Sequence, residues 1–225
     1  MKQRTSTGNL KGKKVLITYG PTWIALDDMR VISNRSTGEL GKILTRDLAN
    51  AGARVTALEG PIFAPLRLKR VKVLKYKFFD ELLSLLKKEL KRKFDIVIHA
   101  AAVADYRPKR IYKSKISSGL KRLDLQLVPT PKMIDMIKNI SAKSFLVGFK
   151  LESSSSRKPL LAKAAGLITQ ARCDLVVANS VKNGYRGYLI DSNRQIIAVV
   201  NSRRMLSKRL VDILKERYEI CCHCP

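Results

Sequence analysis

Acidic residues are scarce in this 225-residue chain: 18 Asp and Glu stand against 45 Lys and Arg, a formal charge of +27. That balance excludes cationic partners and points to anionic ones. Yet 45% of the residues are hydrophobic, too many for a disordered basic tail. No apolar run approaches the roughly 20 residues that a membrane span requires. The first 14 residues are polar and basic with no apolar stretch behind them, so they do not read as a secretory signal. Cysteine is sparse as well: of four, three crowd together at Cys221, Cys222 and Cys224, which makes no disulfide framework. With His223 between them they also make a poor zinc site, because adjacent ligands rarely reach one tetrahedral metal. Cys173 stands alone and reads as core packing; His99 lies in a buried strand. These absences describe a soluble, cytoplasmic protein without a membrane partner.

Other absences exclude function classes. Aromatics make up 6% of the chain, no RNA- or DNA-binding motif occurs, and the basic residues are spread over every helix. A basic module that binds nucleic acid or nucleotide without catalysis remains the competing reading, with no specific nucleic-acid target. No G-x-G-x-x-G follows the first strand and no G-x-x-x-x-G-K-[ST] occurs. A nicotinamide reductase would need that glycine fingerprint and a Tyr-x-x-x-Lys pair, which neither Tyr112 nor Tyr185 offers.

What is present is a repeating alternation of element types. Val15–Thr18 is a β-branched apolar run stopped at Gly20-Pro21, and Gly38–Asn50 spaces Leu40, Ile43, Leu44 and Leu48 for one helical face. Strands follow at 54–58 and 71–74, a helix at 79–91 and a strand at 95–100, apolar enough to be covered on both faces. Residues 105–120 have no period and are rich in Lys and Arg, which reads as a mobile basic flap. Leu123–Val128 alternates as a strand, Pro131 suits the first turn of a helix, and strands at 145–149 and 174–178 flank a helix at 158–171. Residues 188–200 form a hairpin around Ser192-Asn193, and Ser202 caps a last helix. The pattern predicts an α/β fold: a mostly parallel, Rossmann-like sheet with crossover helices, a β-hairpin and the flap. It spans one domain at 13–219, between a basic tail (1–12) and a C-terminal tail (220–225).

In such a sheet ligands bind at the carboxyl ends of strands. Gly20-Pro21-Thr22, Ala100–Asp105 and Gly148-Phe149 follow predicted strands with small residues that let a ligand approach the backbone. Ser33–Gly38 runs straight into a helix, joining hydroxyls and amides to the positive end of a helix dipole. The residues alone therefore predict a phosphorylated ligand of the kind a nucleotide represents, beside a cationic flap.

Seven stretches, ITYGPT (17–22), DDMRVISNRSTGELG (27–41), DIVIHAAAVADYRP (95–108), KISS (115–118), LQLVPTPKMI (125–134), LVGFKLE (146–152) and DLVVANSV (174–181), resemble in order and spacing those of the phosphopantothenate–cysteine ligase family, in its stand-alone form. The resemblance implies a homodimer in coenzyme A biosynthesis that joins 4'-phosphopantothenate to L-cysteine. The reaction would pass through an acyl-nucleotide, with CTP (or ATP) and Mg2+, and a flavin-dependent decarboxylase would be a separate partner. It implies that Lys115 neutralises charge during activation and that Asn34 holds the intermediate for the amine. Arg30, Asn34 and Ala101 would contact substrate. Gly20, Ser36, Thr37, Gly38, Ala104, Asp105, Tyr106, Lys115 and Phe149 would contact nucleotide, Asp105 also its metal. The chain departs from the family pattern at Trp23-Ile24 and Ser180. It also has Leu167 and Ala171 where bacterial members carry two lysines, leaving Lys163 and Arg172 as substitutes.

Overall fold

The computed structural model describes residues 9–152, 157–182 and 184–220; the C-terminal cysteines and His223 lie outside them. The chain begins with β1 (Lys14–Tyr19), whose Val15, Ile17 and Tyr19 face one side of the sheet and Leu16 the other, all buried. A short hairpin follows, β2 (Trp23–Ala25) with β3 (Val31–Ser33), and then α1 (Glu39–Asn50). Next come β4 (Arg54–Glu59), β5 (Lys72–Lys75), α2 (Phe79–Leu90) and β6 (Ile96–His99). All four residues of β6 are buried, as a strand covered on both faces requires. A second small ribbon pairs β7 (Tyr106–Pro108) with β8 (Leu127–Pro129). The rest runs α3 (Met133–Ile140), β9 (Phe145–Glu152), α4 (Arg157–Ala171), β10 (Leu175–Ser180), β11 (Arg186–Asp191), β12 (Ile196–Val200) and α5 (Arg203–Ile220).

Eight strands form one sheet in the order β12-β11-β10-β9-β6-β1-β4-β5. The six from β10 to β5 are parallel, and β11 and β12 add an antiparallel hairpin at one edge. Helices α1 and α5 cover one face and α2, α3 and α4 the other, so the core forms two layers on either side of the sheet. Leu44 and Leu48 of α1 and Leu206, Leu210 and Leu214 of α5 are wholly buried in the first layer; burial of each is worth about 2 kcal/mol. From β1 the chain winds outward to β4 and β5, then returns to place β6 on the other side of β1. The switch point of the sheet is thus the gap between the carboxyl ends of β1 and β6. No helix among the described residues is long and apolar enough to cross a membrane.

The predicted α/β fold is the observed one, with three local corrections. The strand expected at 123–128 is paired only at Leu127–Pro129, because its partner β7 is three residues long. Pro131 stands ahead of α3 rather than in its first turn, where Lys132 is the N-cap. The β2–β3 hairpin was not predicted; its strands are too short to carry a period.

Candidate active site

A cleft of about 940 Å³ opens at the switch point, within the size range of small-molecule sites. Its floor is the turn after β6, Ala100–Asp105, which the chain ties down from several sides. Ala102 donates its N–H to Gly20 O (2.9 Å), and Thr22 donates to Ala102 O (3.3 Å). Ala104 N–H donates to Thr22 Oγ1 (2.9 Å), and Thr130 Oγ1 donates to Ala104 O (2.6 Å). Asn34 closes the same turn from above: its Nδ2 donates to Ala102 O (3.2 Å) and Val103 O (3.0 Å), which leaves Oδ1 as its free-facing acceptor. Two segments nearly 70 residues apart are thereby joined into one surface.

Ser36, Thr37 and Gly38 form the rim leading into α1. Gly38 has φ of 67°, a left-handed turn that aims the chain into the helix; as N-cap it has no side chain to offer, and Thr37 Oγ1 accepts from the Glu39 N–H at 3.4 Å. Leu40 and Gly41 of the first turn of α1 also line the cleft, which puts the positive end of the helix dipole at its rim, an end that suits an anion. Among the described residues five cations line the cleft: Arg35, Lys132, Lys150, Lys163 and Arg203. Four of them are paired with carboxylates. Lys132 holds Asp105. Lys163 (2.8 Å) and Lys150 (3.4 Å) share Glu152, and Arg203 reaches Glu39 at 3.4 Å. The hydrogen bond from Lys163, helped by the charge of Lys150, outweighs partial burial and holds the Glu152 carboxyl below the usual carboxylate range. His99 sits beneath the floor, its Nδ1 2.9 Å from Thr18 Oγ1; burial pushes its pKa down to about 4, so the ring is neutral at physiological pH.

The structure brings together Asn34, Ser36, Thr37, Gly38, Ala101, Ala104, Asp105 and Phe149 around this cleft. Four predicted site residues lie elsewhere. Gly20 (φ 87°) sits behind the floor, where a side chain would press on the Gly60 backbone at 3.0 Å. Tyr106 lies on β7, 57% exposed. Arg30 ion-pairs with Asp27 (3.4 Å) and donates Nη2 to Ile116 O (3.1 Å). Lys115, exposed, precedes Ile116, whose N–H donates to Asp27 Oδ2 at 3.0 Å. Burial pushes the Asp27 carboxyl up, but the amides of Ile116, Met29 and Arg30 and the charge of Arg30 outweigh it and hold it below the usual range. The basic segment is therefore pinned to the β2–β3 hairpin at Ile116, and again where Tyr112 N–H donates to Leu26 O (3.1 Å). Of the two proposed substitutes for the missing lysines, Lys163 lines the cleft, whereas Arg172 turns away to bond Asn139.

Sequence reasoning missed several lining residues. Tyr19 donates its hydroxyl to the buried Glu59 (2.8 Å), and Asp135 and Gln170 meet across α3 and α4. Glu59 ending an apolar strand was a legible signal; the Asp135–Gln170 pair, 35 residues apart, had none. Cys173 is a buried thiol pushed up to about 12 by burial, consistent with packing.

The family model for the DNA/pantothenate metabolism flavoprotein C-terminal domain matches residues 10–215. The chain is 39% identical over 175 residues to a Coenzyme A biosynthesis bifunctional protein CoaBC of Thermococcus kodakarensis, covering 77% of this chain and 43% of that protein. It is 37% identical over 177 residues to the protein of the same name from Borreliella burgdorferi, covering 77% and 44%. The chain thus spans less than half the length of these relatives. Its fold matches the crystal structure of the DNA/pantothenate metabolism flavoprotein from Streptococcus pneumoniae with a TM-score of 0.82 and 25% identity, over 91% of this chain and 99% of that one. The chain belongs to the family of the DNA/pantothenate metabolism flavoprotein C-terminal domain, the phosphopantothenate–cysteine ligase family that its seven stretches resemble.

Proposed function

We propose that this protein is a nucleotide-dependent ligase that joins 4'-phosphopantothenate to L-cysteine through an acyl-nucleotide, with CTP, or alternatively ATP, as co-substrate. The observation that carries the reading is the junction of Asn34 with the Ala102–Val103 carbonyls in the same cleft that the first turn of α1 lines. One surface thereby holds a phosphate site and an acceptor for an incoming amine.

In this reading the triphosphate lies on the α1 amides, near Ser36 and Thr37. The pantothenate carboxylate attacks the α-phosphorus, pyrophosphate leaves, and the cysteine amine then attacks the acyl carbon and expels the nucleoside monophosphate. The first step gathers negative charge, which cations aimed at the reacting phosphorus stabilise. Lys115 serves that step once the basic segment swings from the hairpin over the cleft. Asn34 Oδ1 accepts from the cysteine amine in the second. Magnesium on the triphosphate would supply further charge neutralisation, and Asp105 is the side chain that would hold it. No cluster of three ligating side chains exists among the described residues, and a magnesium that keeps its waters and the phosphates needs none.

A homodimer belongs to the same proposal. The two small ribbons and the segment between them expose Met29, Val31, Ile111, Leu120 and Leu127, an apolar surface that a second copy would cover. Arg30 stands on that surface, which supports a role for it in the mate's site rather than its own. A flavin-dependent decarboxylase activity would consume the product, and the reaction would take place in the cytoplasm.

The test is an assay of pyrophosphate release with phosphopantothenate, cysteine and either nucleotide. Asn34→Asp should still activate the acid but stall before amide formation, so that an acyl-nucleotide accumulates by mass spectrometry. No pyrophosphate with CTP or ATP would reject the ligase.

A further inference from the structure

A second hollow, of about 530 Å³, lies at the amino ends of the strands, at the far end of β1 from the cleft. Among the described residues its lining sets five cations, Lys14, Arg54, Arg70, Lys72 and Arg92, against one carboxylate, Glu89. Strand register brings three of the cations together. Lys14, Arg54 and Lys72 open β1, β4 and β5, and they alternate with Val15, Val55 and Val73 of the layer under α1 and α5. They therefore stand on the opposite face, the one that α2 covers. Further along that face the same rows carry Leu16, Leu58 and Leu74 into the core. Lys14 is the register partner of Arg54, and Thr56, two residues on, is that of Lys72. Neighbouring strands lie about 4.8 Å apart, so like charges stand side by side here.

Only part of this charge is neutralised. Glu89, 2% exposed, takes Lys72 Nζ and Arg92 Nε at 3.4 Å each. Asp95 accepts from the Lys14 N–H (2.7 Å) but does not line the hollow. Lys14, Arg54 and Arg70 have no carboxylate partner among the described residues. The buried carboxylate thus fixes two cations in place without balancing the five. Crowded like charges work against the compact state, and an anion bound only by the folded chain offsets that. The volume is that of a small-molecule site, and the cations converge on a hollow rather than line a track for a nucleic-acid strand. Arginine forks match phosphate oxygens in pairs. Five cations less one carboxylate leave four positive charges; a phosphate group carries up to about two negative ones at pH 7, so two phosphates fill the site.

We propose that this hollow is a second anion site, separate from the reaction cleft, for a small molecule bearing a diphosphate group. Arg54, Arg70 and Lys14 hold it, and Lys72 and Arg92, fixed by Glu89, complete the charge. The proposal does not depend on the ligase reading.

The test titrates pyrophosphate into the full chain and into a Lys14→Gln/Arg54→Gln variant by calorimetry at low ionic strength, and locates it by amide NMR. In wild type the amide signals of Arg54, Thr56 and Lys72 should shift, and the variant should lose about tenfold or more in affinity at this site. Any response of Ser36–Gly38 in the reaction cleft should be the same in both. Without anion the variant should unfold at a Tm equal to or above that of wild type, because repulsion has been removed. A Tm that falls together with binding would show a structural role and overturn the proposal. So would an unchanged affinity, or shifts confined to Ser36–Gly38. Sulfate should bind about tenfold more weakly than pyrophosphate; equal binding would reduce the site to unselective ion attraction. A single-stranded RNA that shifts the same amides at lower concentration than pyrophosphate would make this a nucleic-acid surface and likewise overturn the assignment.

Discussion

The sheet and the basic segment above it are built on different terms. All six residues of β10 are buried, and every neighbouring strand from β12 to β5 is hydrogen-bonded to the next. Residues 106–128, by contrast, expose Ile111, Leu120, Leu123, Leu125 and Leu127 and hold on through a three-residue ribbon and a few bonds to the β2–β3 hairpin. The rigid part fixes where a ligand sits; the loosely held part carries the charge proposed to act on it. Local stability follows the density of buried contacts, so elements that move in function are drawn from the weakly held end. Lys115 and Arg30 both lie on that weakly held side, and neither lines the cleft.

Removing the charge tests the comparison most severely. Lys115→Gln should lower the rate of pyrophosphate release by roughly 10²–10³-fold, the usual cost of one electrostatic contact to a transition state. Because Lys115 is exposed, the unfolding midpoint in urea should not move. Parallel loss of activity and stability would show that the segment is structural.

Acid should strike the rigid part next. His99 is held neutral by burial, with a folded pKa of about 4 against about 6.5 in the unfolded chain. Its contribution is complete above pH 6.5 and fades as pH falls toward 4, because the unfolded state takes up the proton first. The shift corresponds to about 3 kcal/mol, readable as unfolding free energy at pH 7, 5.5 and 4.5. His99→Gln should show a shallower decline over that window than wild type.

The smallest effect belongs to the anchor between the two parts. Asp27→Asn removes the charge that pairs with Arg30 and weakens the acceptor of the Ile116 amide. Limited proteolysis within 109–120 should accelerate roughly tenfold while the sheet stays intact. Since the Asp27 carboxyl is held below its ordinary range, the wild-type anchor should survive from pH 8 down to about 4 and loosen only below that. Equal cleavage of wild type and variant would mean that this contact does not tether the segment.

The same contrast explains what could be read from the sequence. Buried strands and amphipathic helices write their period into the chain: Val15–Thr18, Asp174–Ala178 and the Leu82–Leu86–Leu90 stripe were each legible because burial demands it. The rim of the cleft was legible too, through small residues after strands and a hydroxyl-rich helix entry. The two ribbons were not, because three-residue strands leave no period and Leu123–Leu125 alternate without a partner to pair with. Nor was the clasp of Asp27 and Arg30 on Ile116, nor Asp135 on Gln170, since a contact across 35 or more residues is made by topology rather than by local spacing.

Where the nucleotide binds decides whether this cleft is the reaction centre. A crystal structure with the preferred nucleotide should place its phosphates on the first-turn amides of α1, with Asn34 Oδ1 facing the α-phosphorus side. A nucleotide bound away from the β1–β6 switch point, with those amides unused, would contradict it.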